Sequence, residues 1–160
     1  MSLLGDSRLR LAAAIAALVL IVDQLTKAVV QQTMILHQTI PLLPFLALSY
    51  VRNTGAAFGV LGAAPPGVRL PIFFVVTVAA IGALVSFVRR TPMEERWLVG
   101  ALGGILGGAV GNLICRVRYG EVIDFVDLHW GGLHWPAFNA ADSAITVGVA
   151  IVLLHGLRGH

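Results

Sequence analysis

Four long apolar runs set the pattern of the chain: Leu9–Val30, Val68–Val88, Trp97–Cys115 and Ala140–Leu157. Crossing the hydrocarbon of a bilayer as a helix takes about 20 apolar residues, so each run predicts a transmembrane helix. The second run stops at Arg89-Arg90, followed by Thr91-Pro92. The third carries Gly103 with Gly107 and Gly104 with Gly108, two small-xxx-small pairs. In lipid such pairs let helix backbones approach closely, so helix packing accounts for them. Four spans place both termini on one side and bring the connecting segments Gln31–Gly67 and Arg116–Asn139 together on the other. Within the first segment, Leu46–Arg52 reads as a short strand ending in the turn signal Asn53-Thr54-Gly55. The second holds His129, Trp130, His134 and Trp135, an aromatic cluster suited to the membrane–water interface.

Composition sharpens this picture. Of 160 residues, 58% are hydrophobic and only 12% charged, about half the charged share of a soluble domain. Lipid must therefore be the main solvent, and the length suits one domain. A net charge of +3 does not point to nucleic acid, because the 11 Lys and Arg residues are scattered along the chain. At helix ends they suit anionic lipid head groups. Arg8 and Arg10 before the first run imitate a signal peptide. That run is too long for one and contains Asp23 and Lys27, so it reads as a retained helix. Arg8, Arg10, Arg89, Arg90, Arg96 and Arg158 lie near the side of the termini. Lys27, Arg52, Arg69, Arg116 and Arg118 lie near the other, which leans weakly toward cytoplasmic termini. The single cysteine, Cys115, excludes an intrachain disulfide and reads as a small buried hydrophobe. The 5 histidines show no zinc-type spacing, so no metal and no cofactor is expected.

Charges at membrane depth are costly and mark candidate chemistry. Asp23 and Lys27 stand four apart on one helix face, the spacing of an ion pair that offsets its own burial. Asp124 follows the third helix and Asp142 opens the fourth. Antiparallel neighbours put both acids at one face of the bilayer, where the loop between them can bring their carboxyls together. Such a pair shares a proton, one acid serving as base on water and the other as donor. Spacing alone leaves another role for Asp142, that of an acid at a helix N-terminus. Other hydrolytic devices are missing: there is no Gly-x-Ser-x-Gly, no His-Glu-x-x-His, and no serine aimed at Lys27, the only lysine. The main alternative is a small membrane transporter or channel subunit using Asp23, Asp124 and Asp142 as an ion path. It predicts internal repeat symmetry, and the two halves do not match. A scaffold built on the glycine faces is a further alternative, but it leaves the acids unexplained.

Five blocks resemble the lipoprotein signal peptidase (signal peptidase II) family: Val22–Lys27, Arg52–Phe58, Gly107–Asn112, Val122–Phe125 and Pro136–Ser143. They occur in the family's order across nearly the whole chain. The resemblance implies an all-α integral membrane protein of four transmembrane helices with a small extracytoplasmic β-sheet and a short surface helix. It implies an aspartyl endopeptidase of the bacterial inner membrane, its active site facing the periplasm. Its substrates would be diacylglyceryl-modified prolipoproteins, cut just before the lipidated cysteine. Membrane lipids would surround it, globomycin-type inhibitors would fill the same groove, and it would act as a monomer without cofactor. Matched block by block, Asp124 and Asp142 fall on the catalytic positions. Asn53, Gly55, Asn112, Arg116 and Asn139 fall on substrate-binding or supporting positions, and Asp23 and Lys27 on structural ones. One departure stands out: the family pattern Gly-Asn-x-x-Asp-Arg reads Gly111-Asn112-Leu113-Ile114-Cys115-Arg116 here, so Arg116 lacks the acid expected beside it.

Overall fold

The computed structural model describes residues 6–55 and 62–158. Ala56, Ala57 and Phe58 of the second block lie outside the described residues. Among the described residues, four helices are long and apolar enough to cross a membrane: α1 (Ser7–Thr33), α2 (Pro66–Arg90), α3 (Arg96–Tyr119) and α4 (Ala140–Leu157). Local chemistry sets their ends. The side chain of Asp6 accepts from the Arg8 backbone N–H at 3.0 Å, capping α1. Pro66 opens α2, where its missing N–H costs nothing. The third helix runs past the expected Cys115 to Tyr119, so Arg116 belongs to its last turn and not to a loop. Arg116 and Arg118 there face the negative end of the helix dipole. Gly120, at φ 74°, then ends the helix in the left-handed conformation.

The third helix is the hub. In its most apolar window 67% of residues are buried, against 6–17% in the other three helices, so α1, α2 and α4 turn most of their side chains toward lipid. The glycine pairs make this packing possible, each on its own face. A Cβ at Gly103 would lie 2.6 Å from the Ala12 carbonyl oxygen, and one at Gly107 2.5 Å from that of Ala16, both on α1. On the opposite side, a Cβ at Gly108 would lie 2.5 Å from the Ala141 carbonyl oxygen on α4. No side chain fits in either place. Close backbone approach of this kind is how membrane helices gain dispersion contacts without a hydrophobic drive between them.

At the end of the bundle away from the termini, the two connecting segments build a four-stranded antiparallel sheet: β1 (Thr39–Leu43), β2 (Leu46–Asn53), β3 (Val122–Trp130) and β4 (Leu133–His134), in that order. Apart from the ends of α1, α2 and α3, the described residues of these segments form no helix, so the surface helix implied by the resemblance is not seen among them. A one-residue bulge in β2 between Leu48 and Val51 restores register, so that Val51 faces Asp124 and Asn53 faces Val122. The stretch before α4 folds back onto β3. The Phe138 N–H donates to the Val126 carbonyl at 3.1 Å, and the Phe138 carbonyl accepts from the Phe125 and Val126 N–H groups at 3.0 and 2.8 Å. This brings the N-terminus of α4 beside Asp124. Val30, Met34, Tyr50, Ile123 and Phe125 form the apolar cluster that fastens the sheet to α1.

Candidate active site

Asp124 lies on β3, only 2% exposed. One oxygen, Oδ2, accepts from Asn53 Nδ2 at 3.0 Å, and the other, Oδ1, from Asn139 Nδ2 at 2.6 Å. Asn139 is the N-cap of α4 and serves both acids. Its backbone N–H donates to Asp142 Oδ2 at 3.1 Å, while its side-chain oxygen accepts from the Asp142 N–H at 2.9 Å. This is a reciprocal capping box. Asp142 is therefore the helix N-terminal acid and the neighbour of Asp124 at the same time. Its free oxygen, Oδ1, accepts from Asn112 Nδ2 at 2.8 Å.

Asn112 extends the network inward. Its Oδ1 accepts from Lys27 Nζ at 2.9 Å, and Lys27 donates also to Asp23 Oδ2 at 2.8 Å. The second Asp23 oxygen accepts from the backbone N–H of Ala141 at 3.0 Å, tying α1 to the first turn of α4. On the other flank Asn53 Oδ1 accepts from the Gly55 N–H at 2.9 Å, closing a side-chain-mediated turn. Arg116 Nη2 donates to the Gly55 carbonyl at 3.1 Å, and its guanidinium carbon lies 4.6 Å from the centre of the Phe73 ring. All nine residues singled out in the sequence thus fall in one hydrogen-bonded cluster. Arg116 is positioned without an acid at 115. Cys115 instead faces α1, its Sγ 3.9 Å from Gln24 Nε2.

Burial, and next the charge of Asp142, push the Asp124 carboxyl up to about 6 from an ordinary value of 3.8. Hydrogen bonds from Asn53 and Asn139 and the charge of Lys27 oppose this and do not cancel it. Asp142 sits where the α4 dipole is positive. Asp124 is thus shifted toward holding a proton beside a second carboxyl, an arrangement in which one acid can take a proton from water while the other gives one.

Two supporting residues were not among the site candidates read from the sequence. Gln24 donates to Asp23 Oδ2 at 3.0 Å and to the Gly111 carbonyl at 3.2 Å, bridging α1 to α3. Arg69, buried in α2, donates to the carbonyls of Gly62 and Gly120, both at 3.4 Å, and so holds α2 against the end of α3. A cation inside an apolar run was signal enough for Arg69; for Gln24 the signal was its place beside Asp23.

Fold and cluster together define a multi-span membrane protein with paired, amide-supported carboxyls at one end of its helices. The family model for signal peptidase (SPase) II matches residues 15–158. The chain is 48% identical to the lipoprotein signal peptidase of Syntrophotalea carbinolica, over 92% of this chain and 91% of that protein. It is 40% identical to the one of Vibrio cholerae, over 90% and 85%. Its fold matches a solved bacterial membrane enzyme with a TM-score of 0.83 at 35% identity, covering 92% of this chain and 87% of the other. The chain belongs to the signal peptidase II family, and it is a membrane-embedded protease.

Proposed function

We propose that the protein is an aspartyl endopeptidase that removes signal peptides from diacylglyceryl-modified prolipoproteins, cutting just before the lipidated cysteine, with Asp124 and Asp142 as the catalytic pair. The observation that carries this reading is Asn139, whose side chain and backbone bind the two carboxyls at once and so hold them side by side. Asp142, ionised, takes a proton from water as the water oxygen attacks the scissile carbonyl. Asp124 gives its proton to the carbonyl oxygen, so the tetrahedral intermediate is a neutral gem-diol. On collapse the C–N bond breaks, a proton passes to the departing amine, and the pair returns to one shared proton. No metal or nucleotide takes part. Asn53, Asn112 and Asn139 fix the carboxyls, while Gly55 and Arg116 stand where a peptide strand would be bound.

The substrate's acyl chains would lie in lipid against the apolar outer faces of the helices, with its scissile bond at the sheet end. Trp130 and Trp135, both exposed, suit that interface. Charge supports an inner-membrane orientation with the site in the periplasm. On the sheet side Lys27 and Arg69 are buried, Arg116 is held by Gly55 and Phe73, and Arg52 lies over the rings of Tyr50 and Tyr119. Few of those cations remain to compete with the arginines at the other end under the positive-inside rule. A globomycin-type inhibitor would occupy the same groove, and a monomer contains every residue the reaction uses. No observation favours the transporter reading.

Asp124→Asn and Asp142→Asn should each lower processing of a lipidated prolipoprotein by about 10²–10⁴-fold, the usual worth of a positioned acid or base. Thermal unfolding in detergent should stay near wild type. Processing at the wild-type rate by either variant contradicts the assignment.

A further inference from the structure

A second cluster of titratable groups lies on β3, away from the carboxyl pair. Asp127 and His129 are two apart on the strand and so share a face. His129 is directly opposite His134 across the β3–β4 hairpin. That register is fixed by a two-residue turn, Gly131-Gly132, with φ of 55° and 87°, the pair of positive angles that tight hairpins require. Asp127 Oδ1 lies 2.9 Å from His134 Nδ1 and 3.8 Å from His129 Nδ1. One ligand atom from each of the three residues falls within 4.8 Å of the other two.

We propose that Asp127, His129 and His134 form a binding site for a divalent transition metal of the zinc class, distinct from the carboxyl pair. Three features beyond proximity support it. The remaining oxygen of Asp127 is pinned by Ser49 Oγ at 3.2 Å, itself 2.9 Å from Thr39 Oγ1, so Oδ1 is held toward the histidines. Such outer hydrogen bonds orient metal ligands. The Nδ1 atom of His129 is shut off from solvent and has no hydrogen-bond partner among the described residues; a bound ion would satisfy it. The two imidazole rings stack 5.2 Å apart, a closeness that two imidazolium cations would resist and a shared metal would reward.

Two imidazoles and a carboxylate suit zinc, copper, nickel or cobalt and leave one coordination position open. Calcium and magnesium want oxygen ligands and should bind poorly. Tetrahedral zinc places its ligand atoms about 3.3 Å apart, so the cluster needs only side-chain rotations to close on it. The ion would clamp the hairpin to β2 through Ser49. Spacing rules for helices cannot see such a site, because its ligands follow strand alternation and cross-strand pairing.

The test is calorimetric titration of Zn²⁺ into the full-length protein, purified in detergent through a histidine-free tag and stripped with chelator. One ion per chain is expected. His134→Ala should weaken binding by roughly tenfold or more and His129→Ala likewise, since even outer-shell losses cost that much. Zn²⁺ should raise the unfolding temperature of the wild type and not that of His134→Ala. His134 is exposed, so metal-free His134→Ala should unfold close to the metal-free wild type. Asp124→Asn should keep the wild-type affinity. The proposal is overturned by no stoichiometric binding, by undiminished binding in both histidine variants, or by loss of binding in Asp124→Asn instead.

Discussion

Two acids of this protein live in opposite circumstances within one network. Asp23 is fully buried and saturated: Lys27 and Gln24 share one oxygen, and the Ala141 N–H takes the other. Its charge is matched by Lys27 at 2.8 Å, whose other partner among the described residues is the neutral Asn112. Asp124 is equally buried, yet its direct partners are two neutral amides, Asn53 and Asn139. Amides orient a carboxyl without cancelling its charge. Burial therefore shifts its titration, and the neighbouring Asp142 shifts it further. The lesson is that the kind of partner decides what a buried acid does: a cation makes it a structural tie, whereas amides leave it able to exchange a proton.

Breaking the structural half of that contrast should have the larger effect on folding. Lys27→Met leaves Asp23 buried and without its cation, which costs about 3–5 kcal/mol when a buried pair loses one member. Thermal unfolding in detergent measures it. The double variant Asp23→Asn/Lys27→Met should lose less than Lys27→Met alone, because no bare charge remains. Equal losses would show that the pair does not act as one unit. The smallest effect is expected at Cys115, which is buried outside the contacts that hold Arg116. Cys115→Ala should cost about 1 kcal/mol or less in stability, the scale of deleting one small buried group, and leave peptidase activity unchanged. A large drop in activity would give the thiol a role of its own.

The helices were legible because spanning a bilayer demands length and apolarity, which the chain displays openly. Even the two faces of α3 could be read from Gly103/Gly107 and Gly104/Gly108. The sheet was less so. Thr39–Leu43 is exposed throughout and contains Pro41, so β1 carries neither alternation nor a clean strand composition. Val122–Phe125 is buried on both faces, which erases the period-two pattern in β3. The end of α3 was placed too early because Arg116 and Arg118 resemble a stop signal, whereas in the structure they complement the helix terminus. For the site, spacing left Asp142 between two roles, and it holds both positions. What joins it to Asp124 is the return of Phe138 to Val126, a backbone contact without a signature in side chains. Only the family resemblance singled out Asn139.

The central claim is that Asp124, beside Asp142, keeps its proton far above the ordinary carboxyl range, up to about pH 6. Infrared difference spectroscopy on protein with isotope-labelled aspartate, titrated in lipid discs, reads that proton directly. A protonated-carboxyl band should persist to about pH 6, far above the usual 3.8. It should disappear above that pH, be missing in Asp124→Asn, and titrate lower in Asp142→Asn, where one of its two causes is gone. A raised band that survives in Asp124→Asn, or aspartates that all titrate in the ordinary range, would contradict the account.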